Sequence, residues 1–177
     1  MKKSIIMLLL SMVLAVGCQA QNDEMAPAEQ ASQEVESSEL VETAGYEPGA
    51  WITDYQLALN YSEALNRPVL INFTGSDWCP WCFKLRDEVF IQPEFDSYAK
   101  DNLVLLTIDF PQKKKLPEAE TRANEALAKQ FGIEGFPTIL LVNAEGAILA
   151  KTGYQRGGAD AYVKHLQELL AGNESTD

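Results

Sequence analysis

The sequence predicts an α/β fold, a mixed sheet flanked by helices on both faces. Three observations carry this. Val69–Phe73 and Leu103–Asp109 are short, almost wholly apolar runs, which suits strands covered on both sides. Helical patterns alternate with these runs through the first half of the domain. The second half closes on two short apolar segments joined by turn residues, the pattern of a hairpin. Alternation followed by an antiparallel ending implies mixed strand directions in one sheet.

The 177 residues suffice for one domain with a full hydrophobic core, and two domains would be a squeeze. The formal charge of −12 is unevenly spread: Gln19–Ala50 holds eight acids and no base. Such a surface is a poor partner for nucleic acid.

Residues 1–17 read as an export signal, with Lys2 and Lys3 before an apolar run, Ile5–Val16, that is too short to span a bilayer comfortably. The run ends in Leu14-Ala15-Val16-Gly17-Cys18, which resembles the lipobox of bacterial lipoproteins, although Ala15 stands where Leu is usual. The resemblance implies that Cys18 is diacylated and becomes the new N-terminus; cleavage after Ala20 is the competing reading. Three thiols in an exported chain leave one over once a local pair is assigned, and a lipid anchor accounts for it. Gln19 is not the Asp associated with inner-membrane retention, so the resemblance points to the outer membrane. Residues 18–50 are rich in Glu, Gln, Ser and Ala and cannot bury enough surface to offset ordering entropy. They read as an acidic disordered tether with a root-mean-square reach of roughly 30 Å.

The domain is expected over residues 51–172, with a tail at 173–177. Thr53 and Gln56 have the spacing of a capping box, and Tyr55, Leu57, Ala58, Leu59, Ala64 and Leu65 continue a helix to about Asn66, ended by Pro68. After the first apolar strand a helix is expected from Cys79 to about Phe90, and a further turn or two over Pro93–Lys100. Pro111–Pro117, with Lys113, Lys114 and Lys115, reads as a solvated loop. Glu118–Phe131 is a helix stopped by Gly132. Thr138–Val142 and Ala147–Lys151 form the hairpin around Asn143-Ala144-Glu145-Gly146, and Ala159–Leu170 is a closing amphipathic helix.

The chemistry-bearing segment is Trp78-Cys79-Pro80-Trp81-Cys82, placed between a buried strand and a helix. Pro80 suits the first helical position, where its missing N–H costs nothing and its fixed φ fits. Cys79 then sits at the helix N-terminus, where free N–H groups and the macrodipole stabilise a thiolate. Cys82, one turn inward, is placed to attack a mixed disulfide on Cys79 and release the product. The bland alternatives are an inert disulfide or a metal site. A ring of this size contributes little loop entropy, and a metal would need further ligands when the only histidine, His165, lies in the last helix and reads as surface or packing. Asp77, Lys84, Arg86, Asp87 and Glu88 read as helix-end and surface charge.

The segment Phe73-Thr74-Gly75-Ser76-Asp77-Trp78-Cys79-Pro80-Trp81-Cys82, together with Phe131-Gly132-Ile133-Glu134-Gly135-Phe136-Pro137-Thr138, resembles the thioredoxin superfamily, and in particular its exported thioredoxin-like members. The resemblance covers about Trp51 to Leu170. It implies a thioredoxin-like fold, a cis-proline at Pro137 packed beside the reactive sulfur, and docking of a substrate segment on the backbone of Phe136. It also implies that Trp78 shapes the surface around the motif; a substrate-facing role for Trp81 stands beside simple packing. One residue departs from the pattern. Where many thioredoxins carry a buried acid in the strand before the motif, this chain has Asn72, which cannot take a proton. The expected function is thiol–disulfide exchange in the bacterial cell envelope, on the periplasmic face, with protein thiols and disulfides as substrates, a redox partner, and no cofactor or metal. The rival reading is a membrane-tethered binding or chaperone-like module with an incidental dithiol.

Overall fold

The computed structural model describes residues 45–174. The expected signal segment, Cys18, the tether up to residue 44 and the tail residues 175–177 lie outside the described residues. In order, the elements are β1 (Trp51–Ile52), α1 (Tyr55–Leu65), β2 (Val69–Thr74), α2 (Pro80–Leu85), a π turn (Arg86–Phe90) and α3 (Pro93–Asn102). They continue as β3 (Val104–Asp109), α4 (Glu118–Gln130), β4 (Thr138–Val142), β5 (Ile148–Thr152) and α5 (Gly158–Glu174).

The strands form one sheet in the order β1-β3-β2-β4-β5. β1, β3 and β2 run parallel, with β2 and β3 in register from Val69 opposite Val104 to Thr74 opposite Asp109. β4 pairs antiparallel to β2 and to β5. The sheet is therefore mixed, as the alternation followed by a hairpin requires.

Side chains alternate across the sheet and divide the core in two. Leu70, Leu105, Ile139 and Leu141 point to one side, where Leu85 of α2, Phe95 and Ala99 of α3 and Tyr162 and Leu166 of α5 cover them. Val69, Ile71, Phe73, Leu106, Ile108 and Leu140 point to the other, under Ala58 and Tyr61 of α1, Leu127 and Ala128 of α4, and Phe131. Because β2 and β4 are enclosed on both faces, their sequences are apolar runs rather than alternating ones.

Four local features differ from expectation. The cap of α1 is Asp54 and not Thr53: its carboxylate accepts the Leu57 N–H at 2.9 Å, and no box with Gln56 forms. Asp54 is a strong N-cap residue, and the chain before it is drawn into β1, an edge strand of two residues that shows no period in sequence. The helix expected from Cys79 to Phe90 starts at Pro80 with Cys79 as its cap, then widens into the π turn after Leu85. Residues 45–50, read as the end of the tether, pack against the domain: the Tyr46 hydroxyl donates to the Leu103 carbonyl at 3.2 Å, and its ring lies 5.0 Å from Tyr61. The stop of α4 is as expected, with Gly132 in the left-handed region at φ 58°. Among the described residues no helix is long and apolar enough to cross a membrane.

Candidate active site

Cys79 and Cys82 are joined by a disulfide, their Cα atoms 5.2 Å apart. Cys79 is the N-cap of α2, with extended backbone, and its Sγ accepts the Cys82 N–H at 3.2 Å. Pro80 occupies the first turn, so the helix loses no donor there. Both residues are buried in the disulfide state, Cys79 at 3% exposure and Cys82 at 6%, so burial does not tell the two sulfurs apart. The capping position does, because it sets only Cys79 against the free N–H groups of the helix.

A clasp holds the loop that delivers Cys79. The Asp77 carboxylate accepts three successive backbone N–H groups, from Gln112 at 2.9 Å, Lys113 at 2.8 Å and Lys114 at 2.9 Å. In the other direction, Asp109 at the end of β3 accepts the Ser76 N–H at 2.9 Å and hydroxyl at 2.6 Å, and Lys114 pairs with it at 2.8 Å. These donors, Gln112 first, hold the Asp77 carboxyl below its ordinary range, while the bond to Asp109 raises the Lys114 ammonium. The lysine triplet thus belongs to a structured loop. Asp77, read in sequence as surface charge, is a tie between two loops.

Trp78 is fixed from three sides. Its Nε1 donates to the Phe110 carbonyl at 2.7 Å, its ring meets Phe136 edge-on at 5.9 Å, and its indole lies directly over Gly75. A Cβ at Gly75 would fall 2.5 Å from Trp78 Cε2, so only glycine admits this close approach. Phe110 stacks on Phe136 at 5.1 Å, and the Phe136–Pro137 peptide is cis. Gly153, after β5, lies against the Pro137 carbonyl, where a Cβ would come within 3.1 Å. The motif, the Phe136–Pro137 loop and the chain after β5 thereby meet at one end of the sheet.

Trp81 projects outward at 52% exposure. Its ring lies 5.3 Å from Tyr154, and the Lys84 ammonium sits over both rings, at 5.7 and 5.4 Å. The Tyr154 hydroxyl donates to Glu88 at 2.6 Å, a bond that raises the phenol pKa, and Lys84 lies 3.6 Å from the same carboxylate. Lys84 and Glu88 therefore border the motif as part of one small cluster, whereas Arg86 and Asp87 pair with each other at 2.7 Å. His165 lies in α5 with Nε2 2.9 Å from the Thr152 hydroxyl, and among the described residues no group of three or more His, Cys, Asp and Glu side chains could hold a metal.

The sequence reading missed Asp109, Phe110 and Tyr154. Each is hydrogen-bonded to the segment around the motif across more than 30 positions in sequence, so no local pattern marks them. Asn72 is placed on β2 opposite Thr107 and Ile139, on the side of the sheet that carries α2.

A thioredoxin-like domain family model matches residues 55–169. The chain is similar to the disulfide bond reductase DsbH of Chlamydia pneumoniae, 39% identical over 116 residues that make up 66% of this chain and 70% of that protein. It is similar also to the thioredoxin-related protein DsbJ of the same organism, 30% identical over 68% of this chain, but it spans only 36% of DsbJ. Among solved structures, a DsbH oxidoreductase superposes with a TM-score of 0.67 at 30% identity, covering 87% of this chain and 95% of its own.

Proposed function

The chain belongs to the thioredoxin-like family and is a thiol–disulfide oxidoreductase; from that premise we propose that Cys79 is its attacking thiol and Cys82 its resolving thiol. The observation that carries this division is the capping position of Cys79, whose sulfur already accepts an N–H of the first turn of α2. On reduction the same N–H stabilises a Cys79 thiolate. That thiolate attacks one sulfur of a protein disulfide, and the other substrate sulfur leaves as a thiolate. Cys82 then attacks Cys79 Sγ, releases the substrate as a thiol and restores the Cys79–Cys82 bond. The reverse sequence oxidises a substrate dithiol.

The substrate surface of this reading is formed by Trp78, Trp81, Phe136 and Pro137. It is supported by the exposure of Trp81, by the packing of Trp78 on Phe136, and by the position of Phe136 just outside the ladder of β4. We place the protein in the bacterial cell envelope, on the periplasmic face, exchanging with protein thiols and with a separate redox partner. The support is the export-signal pattern of residues 1–17 and the similarity to a relative named a disulfide bond reductase. Lipidation of Cys18 rests on the lipobox resemblance of Leu14–Cys18, and the outer membrane as destination on Gln19 standing in place of an Asp.

Insulin reduction by the purified chain tests the assignment. Cys79→Ser abolishes exchange, whereas Cys82→Ser accumulates mixed disulfides with its substrates. Accumulation by Cys79→Ser instead would reverse the two roles, and no insulin reduction by the wild-type chain would leave only a binding module.

A further inference from the structure

The Oδ1 atom of Asn72 is fully enclosed and accepts no hydrogen bond, the one buried side-chain oxygen or nitrogen in that condition among the described residues. Asn72 lines a cleft of about 280 Å³, and Cys82 lines the same cleft together with Trp51, Thr74, Thr107 and Arg86. An amide oxygen removed from water with no donor carries a desolvation penalty. Secondary structure does not explain its presence, since the neighbouring positions of β2 are apolar and fully buried.

The disulfide does explain it. In the oxidised state Cys82 Sγ has no hydrogen to donate. When glutathione reduces the pair, two glutathione thiols become one glutathione disulfide, and the Cys79–Cys82 bond breaks with two electrons and two protons delivered to the protein sulfurs. The Cys79 proton goes to solvent as its thiolate forms, and Cys82 keeps an S–H. We infer that Asn72 Oδ1 accepts that S–H, so that an acceptor orphaned in the disulfide state is satisfied only in the dithiol state. Asn72 is then a positioning residue that tilts the couple toward the dithiol and keeps the Cys82 thiol protonated while Cys79 ionises. Arg86 is the only charged side chain that lines the cleft, no carboxylate faces Cys82 there, and the Ser76 hydroxyl is already committed to Asp109.

This inference rests on the Cys79–Cys82 pair cycling between its two states, and the experiment separates the two ideas. The full chain and its Asn72→Leu variant are equilibrated with glutathione buffers, and the fraction of disulfide is read by alkylation and mass spectrometry. Asn72→Leu is expected to move the equilibrium toward the disulfide by about tenfold, the scale of one unsatisfied buried acceptor, which for two electrons is about 30 mV in potential. Denaturant melts of both redox states locate the effect: the gain in stability belongs to the oxidised form alone. Asn72→Ala is the second variant, with the same expected sign. An unshifted constant, or a shift toward the dithiol, overturns the role of Asn72. A wild-type chain that does not equilibrate with glutathione at all overturns the oxidoreductase reading beneath it.

Discussion

Gly75→Ala puts the geometry of the active-site loop to a quantitative test. The added Cβ would lie 2.5 Å from Trp78 Cε2, 2.6 Å from Nε1 and 2.8 Å from Cζ2. Carbon atoms rest at about 3.5–4.0 Å, so the indole must retreat by roughly 1 Å. A shift of that size takes the 2.7 Å bond from Nε1 to the Phe110 carbonyl beyond hydrogen-bond range. Overpacking costs about 1–3 kcal/mol and the lost bond about 1 kcal/mol, together ~2–4 kcal/mol. For a domain of this size that is a fall in Tm of about 8–16 °C. Thermal melts followed by circular dichroism read the loss, and Trp emission reads the displaced ring. Gly135→Ala is the control, because a Cβ there meets nothing within 4 Å. If the two variants melt within ~1 kcal/mol of each other with the same emission, Trp78 is not pinned as described and its place beside Cys79 is wrong.

Two further outcomes are expected. Cys18→Ala blocks lipid attachment while insulin reduction by the domain is retained; a wild-type chain found by mass spectrometry to begin at Gln21 without lipid removes the anchor. Asp77→Asn frees the Gln112–Lys114 amides, seen as faster hydrogen exchange at those positions with the distal Tyr46–Leu103 region unchanged. The sign of its pH dependence follows from a carboxyl held below its ordinary range. The clasp is complete above the unfolded value of about 3.9 and is lost only as pH falls through the lower folded value. Loss of protection at Gln112–Lys114 at about pH 5–7, where an ordinary carboxylate is already ionised, would contradict the tie.

The parts of this protein readable from sequence are those whose cause is local. Val69–Phe73 shows itself as a buried strand because both of its faces are covered, and Cys79-Pro80 marks a helix start because a proline fits the first turn. Gly132 shows the end of α4 for a similarly local reason. What escaped notice is set by partners distant in the chain. β1 exists because Trp51 and Ile52 pair with Leu105 and Leu106, and Trp51 packs at 5.0 Å on Phe90. The Thr53-x-x-Gln56 spacing was outcompeted by Asp54 once that strand took up the residues before it. Asp77 looks like any exposed acid until three amides from another loop converge on it. The candidate dithiol was legible, but the framework that aims it was not.

The parallel strands also give the domain a polarity. The chain comes in beside the start of β3, where Tyr46 bonds to Leu103, and continues through β1 in the direction of β2 and β3. The dithiol follows the far end of β2, beyond Thr74. A six-residue strand is about 20 Å long, so the segment 45–50 and the reactive end are separated by the full height of the sheet. The dithiol is therefore carried at the end of the domain farthest from residues 45–50.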